Sequence, residues 1–160
     1  MKKSLSIFIS VIICLFALSS CGTVNTGKTE YTNTCVFSIN CKTVLDNREN
    51  LNKDKTDIVP DDGIILAESE VGFNEGETVY DVLLRVCREN KIHIDSEITP
   101  AYNSAYIKGM GNLYSGDCGE YSGWVYKVNG ESAQVGANSF TLSNGDKVEW
   151  CFICDFSTEY

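Results

Sequence analysis

The sequence predicts an α+β domain in which one main helix packs against several strands. Three patterns point to it. Val79, Val82, Leu83, Val86 and Cys87 repeat at the i, i+3, i+4, i+7, i+8 spacing of a core-facing helical stripe. Residues 35–44 and 147–154 alternate apolar and polar side chains with the period of two that a half-buried strand requires. Dipeptides such as Asn129-Gly130 mark tight turns between the periodic segments.

Taken in order, residues 35–44 open the domain, with Cys35, Phe37, Ile39 and Cys41 on one strand face. Residues 45–60 are polar and charge-mixed and form either a short helix or a loop. Asp61-Asp62-Gly63 is a turn, and residues 64–73 read as one or two short strands. Thr78 is a good N-cap for the helix, and Asp81 three positions on comes close to a capping box. The helix is expected to end near Asn90. Residues 99–119, rich in Tyr, Gly, Asn and Ser, read as a long loop with a strand at 105–108, the kind of segment that forms binding surfaces. Residues 123–128 form a strand closed by Asn129-Gly130, and Ser143-Asn144-Gly145-Asp146 is the next turn. The last strand places Val148, Trp150, Phe152 and Cys154 on one face and Cys151 on the other.

The N-terminus speaks to compartment. Lys2 and Lys3 precede an uncharged apolar run from Leu5 to Leu18, long enough for a signal peptide and short of a bilayer span. Leu18-Ser19-Ser20-Cys21 resembles a bacterial lipobox. The resemblance implies cleavage after Ser20, lipidation of Cys21, and anchoring through buried acyl chains. The expected organisation is a signal peptide at 1–20, a lipidated N-terminus and Thr/Asn-rich tether at 21–34, and one domain at 35–160. The protein is expected on the extracytoplasmic face of the cell membrane. Loss of Lys2 and Lys3 leaves 11 basic against 22 acidic side chains. Such a balance excludes nucleic acid as a main partner, because phosphate binding needs clustered Lys and Arg.

Of the 8 Cys, Cys14 lies in the signal peptide and Cys21 is the lipidation site. Cys35, Cys41, Cys87, Cys118, Cys151 and Cys154 remain, an even number that favours disulfides in an exported domain. Cys35 and Cys41 cannot bridge each other in one strand, since six residues span about 20 Å and a disulfide needs Cα atoms within about 7 Å. Strand and helix faces suggest Cys118–Cys151, with Cys87 bonded to Cys35 or Cys41. Cys151-x-x-Cys154 has the spacing of a zinc or redox motif. It lacks the second pair that zinc requires and the helix N-terminus that activates a redox thiol.

No catalytic residue stands out. The single His93 has no nucleophile signature beside it. The Asp-rich segment at 52–63 lacks the Gly and terminal Glu of a calcium loop, so no metal site is expected. Tyr102, Tyr106, Tyr114, Tyr121, Trp124 and Tyr126 cluster in a short stretch and are the candidate ligand-binding residues, because Tyr and Trp offer large amphipathic area at low entropic cost. Trp124 and Tyr126 share a strand face and are equally good candidates for core filling.

Gly76-Glu77-Thr78-Val79-Tyr80-Asp81-Val82-Leu83, residues 121–130 (YSGWVYKVNG) and residues 144–150 (NGDKVEW) together resemble the signatures of the transcobalamin-like C-terminal domain family, over residues 65–155. The resemblance implies a β-grasp-like curled sheet packed on one main helix. In the vitamin B12 carriers a similar domain closes over one side of cobalamin while a separate helical domain holds the other. It therefore implies a non-enzymatic ligand-binding module, with cobalamin or a similar corrinoid as the small-molecule ligand and a partner domain completing the site. The competing expectation is a cell-surface structural or protein–protein interaction domain without a small ligand.

Overall fold

In the computed structural model, residues 30–99 and 104–159 are described. The expected signal peptide, Cys21 and Tyr102 lie outside them.

Strand β1 (Asn33–Asn40) is followed by a one-turn helix α1 (Thr43–Asp46) and two 3-10 turns, then β2 (Ile64–Phe73) and the main helix α2 (Val79–Glu89). Next come β3 (Ile94–Thr99), β4 (Ser104–Met110), β5 (Leu113–Tyr114), β6 (Gly123–Val128), β7 (Glu131–Ser132), β8 (Lys147–Ile153) and a terminal turn α3 (Phe156–Glu159). Sheet dominates and α2 is the main helix, as an α+β domain requires.

Helix α2 begins where its side chains say it should. The Thr78 hydroxyl accepts from the Asp81 N–H at 3.2 Å, and the Asp81 carboxylate accepts from the Thr78 N–H at 2.9 Å, completing a capping box. Its stripe of Val79, Val82, Leu83, Val86 and Cys87 is buried. Burying each Val or Leu contributes roughly 1.5–3 kcal/mol. Asn90 ends the helix at the expected place.

The stripe packs on a five-stranded mixed sheet of order β2-β1-β8-β6-β7. Its centre is the parallel pair β1–β8, in which Phe37 lies beside Val148 and Ile39 beside Trp150. β2 pairs antiparallel to β1 outside it, and β6 pairs antiparallel to β8 on the other flank. Phe37, Ile39, Cys41, Phe73, Val148, Trp150 and Phe152 form one buried cluster with the helix stripe. Val125, Cys151 and Ile153 form a second, smaller cluster on the reverse face. The β6–β7 hairpin turns on Asn129 (φ 55°) and Gly130 (φ 85°), the pair of positive dihedrals of a type I′ turn.

Three expectations change. Residues 64–73 form one ten-residue strand, with irregular register where β1 passes from Phe37 to Asn40. More importantly, the described part of the expected long loop holds strands: β3, ending at Thr99, with β4 and β5 forms a second, antiparallel three-stranded sheet. Gly111 (φ 59°) and Asn112 (φ 65°) are the two residues between β4 and β5, another I′ turn. The segment was hidden because its Ser, Gly, Ala and Tyr residues have little apolar alternation, and its pairing partner, β3, lies on the other side of the intervening residues. The first strand, expected over 35–44, ends at Asn40, since Thr43–Asp46 turn into α1; the rest of residues 45–60 holds the two 3-10 turns.

Candidate functional site

The two sheets are joined through side chains. The Trp124 indole N–H of β6 donates to the Leu113 carbonyl of β5 at 2.9 Å, and Cys87 of α2 touches Met110 of β4 sulfur to sulfur at 3.7 Å. Asn138 accepts from the Ala105 N–H at 2.8 Å and draws the segment after β7 against β4. Gly136 is needed there, since a Cβ would lie 2.5 Å from the Ser104 hydroxyl.

Between these elements runs an open groove of about 380 Å³. Its exposed rim is Tyr106 of β4, Val135 and Phe156, and its buried floor is Ile107 of β4 with Trp124 and Tyr126 of β6. Tyr106 and Val135 are each 50% exposed and Phe156 41%, so the rim is apolar and wet. The floor is different. Trp124 and Tyr126 are buried, and the Tyr126 hydroxyl donates to the Val135 carbonyl at 2.7 Å, so its polar tip holds the rim in place. Tyr126 also packs against Trp150 at 5.1 Å between ring centroids, and Trp124 meets Phe152 edge-on at 5.3 Å. Trp150 also lines the groove, and its buried indole N–H has no hydrogen-bond partner among the described residues. An unmet buried donor costs about 1–3 kcal/mol.

The aromatic residues singled out from sequence therefore part company. Tyr106, Trp124 and Tyr126 converge on the groove. Tyr114 does not: its ring lies over Gly109, where a Cβ would come within 2.5 Å, with Lys55 Nζ 5.1 Å from its centroid and its hydroxyl 2.9 Å from His93 Nε2. Its role is to pin β5. Lys55 serves the same end through Asp117 (3.4 Å) and the Asn112 carbonyl (2.8 Å), and so gives the polar residues 45–60 a structural task. Tyr121 is exposed and borders a second groove of about 330 Å³ with Asn47, Asn50, Glu120 and Asp155. Sequence reasoning missed Val135, Gly136 and Phe156. None carries a periodic signal, since each reaches the groove only through the crossing of distant segments.

The cysteines are rearranged as well. Cys151 faces away from Cys118: its sulfur lies 3.6 Å from Asn40 Nδ2 on the reverse of β8. Cys118 instead meets Cys154, sulfur to sulfur at 2.7 Å. The expected Cys118–Cys151 pair is thus corrected: Cys151 lies on the reverse face of β8, and Cys154, just past the end of that strand, is the cysteine that reaches Cys118. Cys87 stands against Met110, and Cys35, Cys41, Cys87 and Cys151 are free thiols. Burial pushes Cys35, Cys41 and Cys151 up to about 11 and Cys87 up to about 12. They are inert at neutral pH. Among the described residues no group of three His, Cys, Asp or Glu side chains could hold a metal ion, and no helix is long and apolar enough to cross a membrane.

Comparison with known proteins agrees with this architecture. Residues 76–153, just under half of the chain, match a domain family described as a domain of unknown function, DUF4430. No curated protein matches the chain. Among solved structures, haptocorrin in complex with Cbi superposes with a TM-score of 0.52 at 17% identity, over 76% of this chain and 25% of haptocorrin. A Ruminococcus gnavus protein provisionally described as metal binding gives 0.43 at 15% identity, over 75% of this chain and 95% of that one. The second score is too low to carry an argument. The first, at that identity, is a likeness of fold, and the chain spans only about a quarter of haptocorrin's length. The fold of this chain is transcobalamin-like.

Proposed function

We propose that this protein is a lipid-anchored, extracytoplasmic binding module without enzymatic activity, built on a β-grasp-like sheet. The β-grasp reading is supported by the antiparallel β1–β2 pair, the crossover through α2, and the return of β8 parallel to β1 at the centre of the sheet. The observation that carries the binding reading is the groove between the sheets, with its exposed apolar rim of Tyr106, Val135 and Phe156. At about 380 Å³ it sits at the small end of ligand sites and is open along one side. A corrinoid would rest one edge there, and a partner domain would cover the rest. Haptocorrin, which carries Cbi and is about four times the matched length, is consistent with such an arrangement.

The same exposed rim also favours a second reading, in which the groove receives a protein surface and no small molecule. Calorimetric titration of the detergent-solubilised chain with cobalamin and with cobinamide separates the two. Micromolar binding, about −8 kcal/mol, weakened about tenfold in Tyr106→Ala, supports the corrinoid reading. No heat at a ligand concentration of about 100 μM removes it. The interaction reading then predicts that Tyr106→Ala abolishes capture of a specific envelope partner.

A further inference from the structure

Cys118 and Cys154 stand apart from the other described cysteines. Their sulfurs are 2.7 Å apart, although 36 positions separate them in the chain. Cys118 sits in the segment between β5 and β6, and Cys154 just after β8. The fold holds both firmly. The Ser122 hydroxyl accepts from the Cys118 N–H at 3.1 Å and donates to the Gly119 carbonyl at 2.8 Å. The Thr43 hydroxyl donates to the Phe152 carbonyl at 2.8 Å and lies 3.6 Å from Cys154 Sγ. Both cysteines line the second groove, which gives a small oxidant a way in from solvent.

We propose that Cys118 and Cys154 form the domain's one intramolecular disulfide, while Cys35, Cys41, Cys87 and Cys151 remain thiols. Cys87 instead faces a thioether, and Cys151 faces an amide on the reverse side of the sheet. The oxidant is a disulfide, from a small molecule or a protein. The thiolate of one cysteine, having released its proton, attacks a sulfur of that disulfide. A mixed disulfide forms and one thiolate leaves. The second cysteine, likewise deprotonated, then attacks the first and expels the other half. The two cysteines lose two electrons and two protons, and the oxidant departs as two thiols. The bridge ties the loop bearing Tyr121 to the C-terminal end of β8, independently of whichever ligand the first groove takes.

The test uses the full chain, reduced and then incubated with oxidised glutathione, so its outcome does not depend on cellular location. Remaining thiols are alkylated in denaturant and the protein is digested with chymotrypsin without reductant. Cleavage after Trp150 and Phe152 separates Cys151 from Cys154, which trypsin would leave on one peptide. The expected product links the Cys118 peptide to the Cys154 peptide, with the label on Cys35, Cys41, Cys87 and Cys151. Cys151→Ser keeps the link, and Cys154→Ser loses it and labels Cys118. Label on both Cys118 and Cys154 in the wild-type chain overturns the proposal. So does a link from Cys118 to Cys151, or from Cys41 to Cys154. The wild-type map decides the matter even where a variant folds poorly.

Discussion

The two sheets of this protein are held by different physics. In the five-stranded sheet, β1 and β8 are covered by α2, and their stability comes from continuous burial of alternating side chains. Among the described residues the three-stranded sheet has no helix of its own. It is fastened at points: Met110 against Cys87, the Leu113 carbonyl under Trp124, the Tyr80 hydroxyl 2.7 Å from the Ser96 hydroxyl, and Lys55 over Tyr114. A sheet held by area fails globally when damaged. A sheet held by anchors can loosen locally, and the candidate groove lies between the two.

Three perturbations probe this contrast, in decreasing order of effect. Phe37→Ala opens a hole beneath α2 at a fully buried position and should lower the unfolding free energy by roughly 3–5 kcal/mol in a urea titration. A loss well below that, confined to one sheet, would refute the single-core picture.

The second is alkaline pH. The buried thiols Cys35, Cys41 and Cys87 have folded values of about 11 to 12 against an ordinary 9.0, because burial disfavours the thiolate. Folding therefore favours their protonated form. The stability they contribute is fully present below pH 9 and is lost as pH rises through about 11. The urea midpoint should fall across that window. Cys87→Ala, measured against its own neutral-pH midpoint, should flatten the fall.

The smallest effect is expected from Tyr80→Phe. It removes the Ser96 contact and should cost about 1 kcal/mol. Its signature is local: amide exchange should speed up in β3 and β4 and stay unchanged in β1 and β8. Uniform acceleration across both sheets would mean that they open as one unit.

The contrast also explains what could be read in advance. The α2 stripe, the Thr78–Asp81 capping box, the buried faces of β1 and β8, and the Asn129-Gly130 hairpin all follow from local periodicity or turn chemistry and stand where the sequence placed them, although β1 stops at Asn40 and β8 at Ile153, short of the expected residues 44 and 154. The small sheet did leave one local trace, the Gly111-Asn112 turn, which reads as a hairpin once Met110 and Leu113 are recognised as flanking strand residues. Its register against β3 left none. The groove was half legible. Tyr106, Trp124 and Tyr126 were found as an aromatic cluster, while Tyr114, from the same cluster, was diverted to the Gly109 face by a glycine whose meaning only pairing reveals.

By itself the sequence determined the fold class, the helix and its cap, the two central strands, and the placing of Val148, Trp150 and Phe152 on one face of β8 with Cys151 on the other. These are consequences of periods of 3.6 and 2, which act between near neighbours. The tertiary structure decided which distant segments meet: that Cys118 faces Cys154, that Val135 and Phe156 complete the rim around Tyr106, and that Lys55 reaches across to Tyr114 and Asp117. Contacts between residues far apart in the chain depend on how whole elements cross, and no local pattern encodes that crossing.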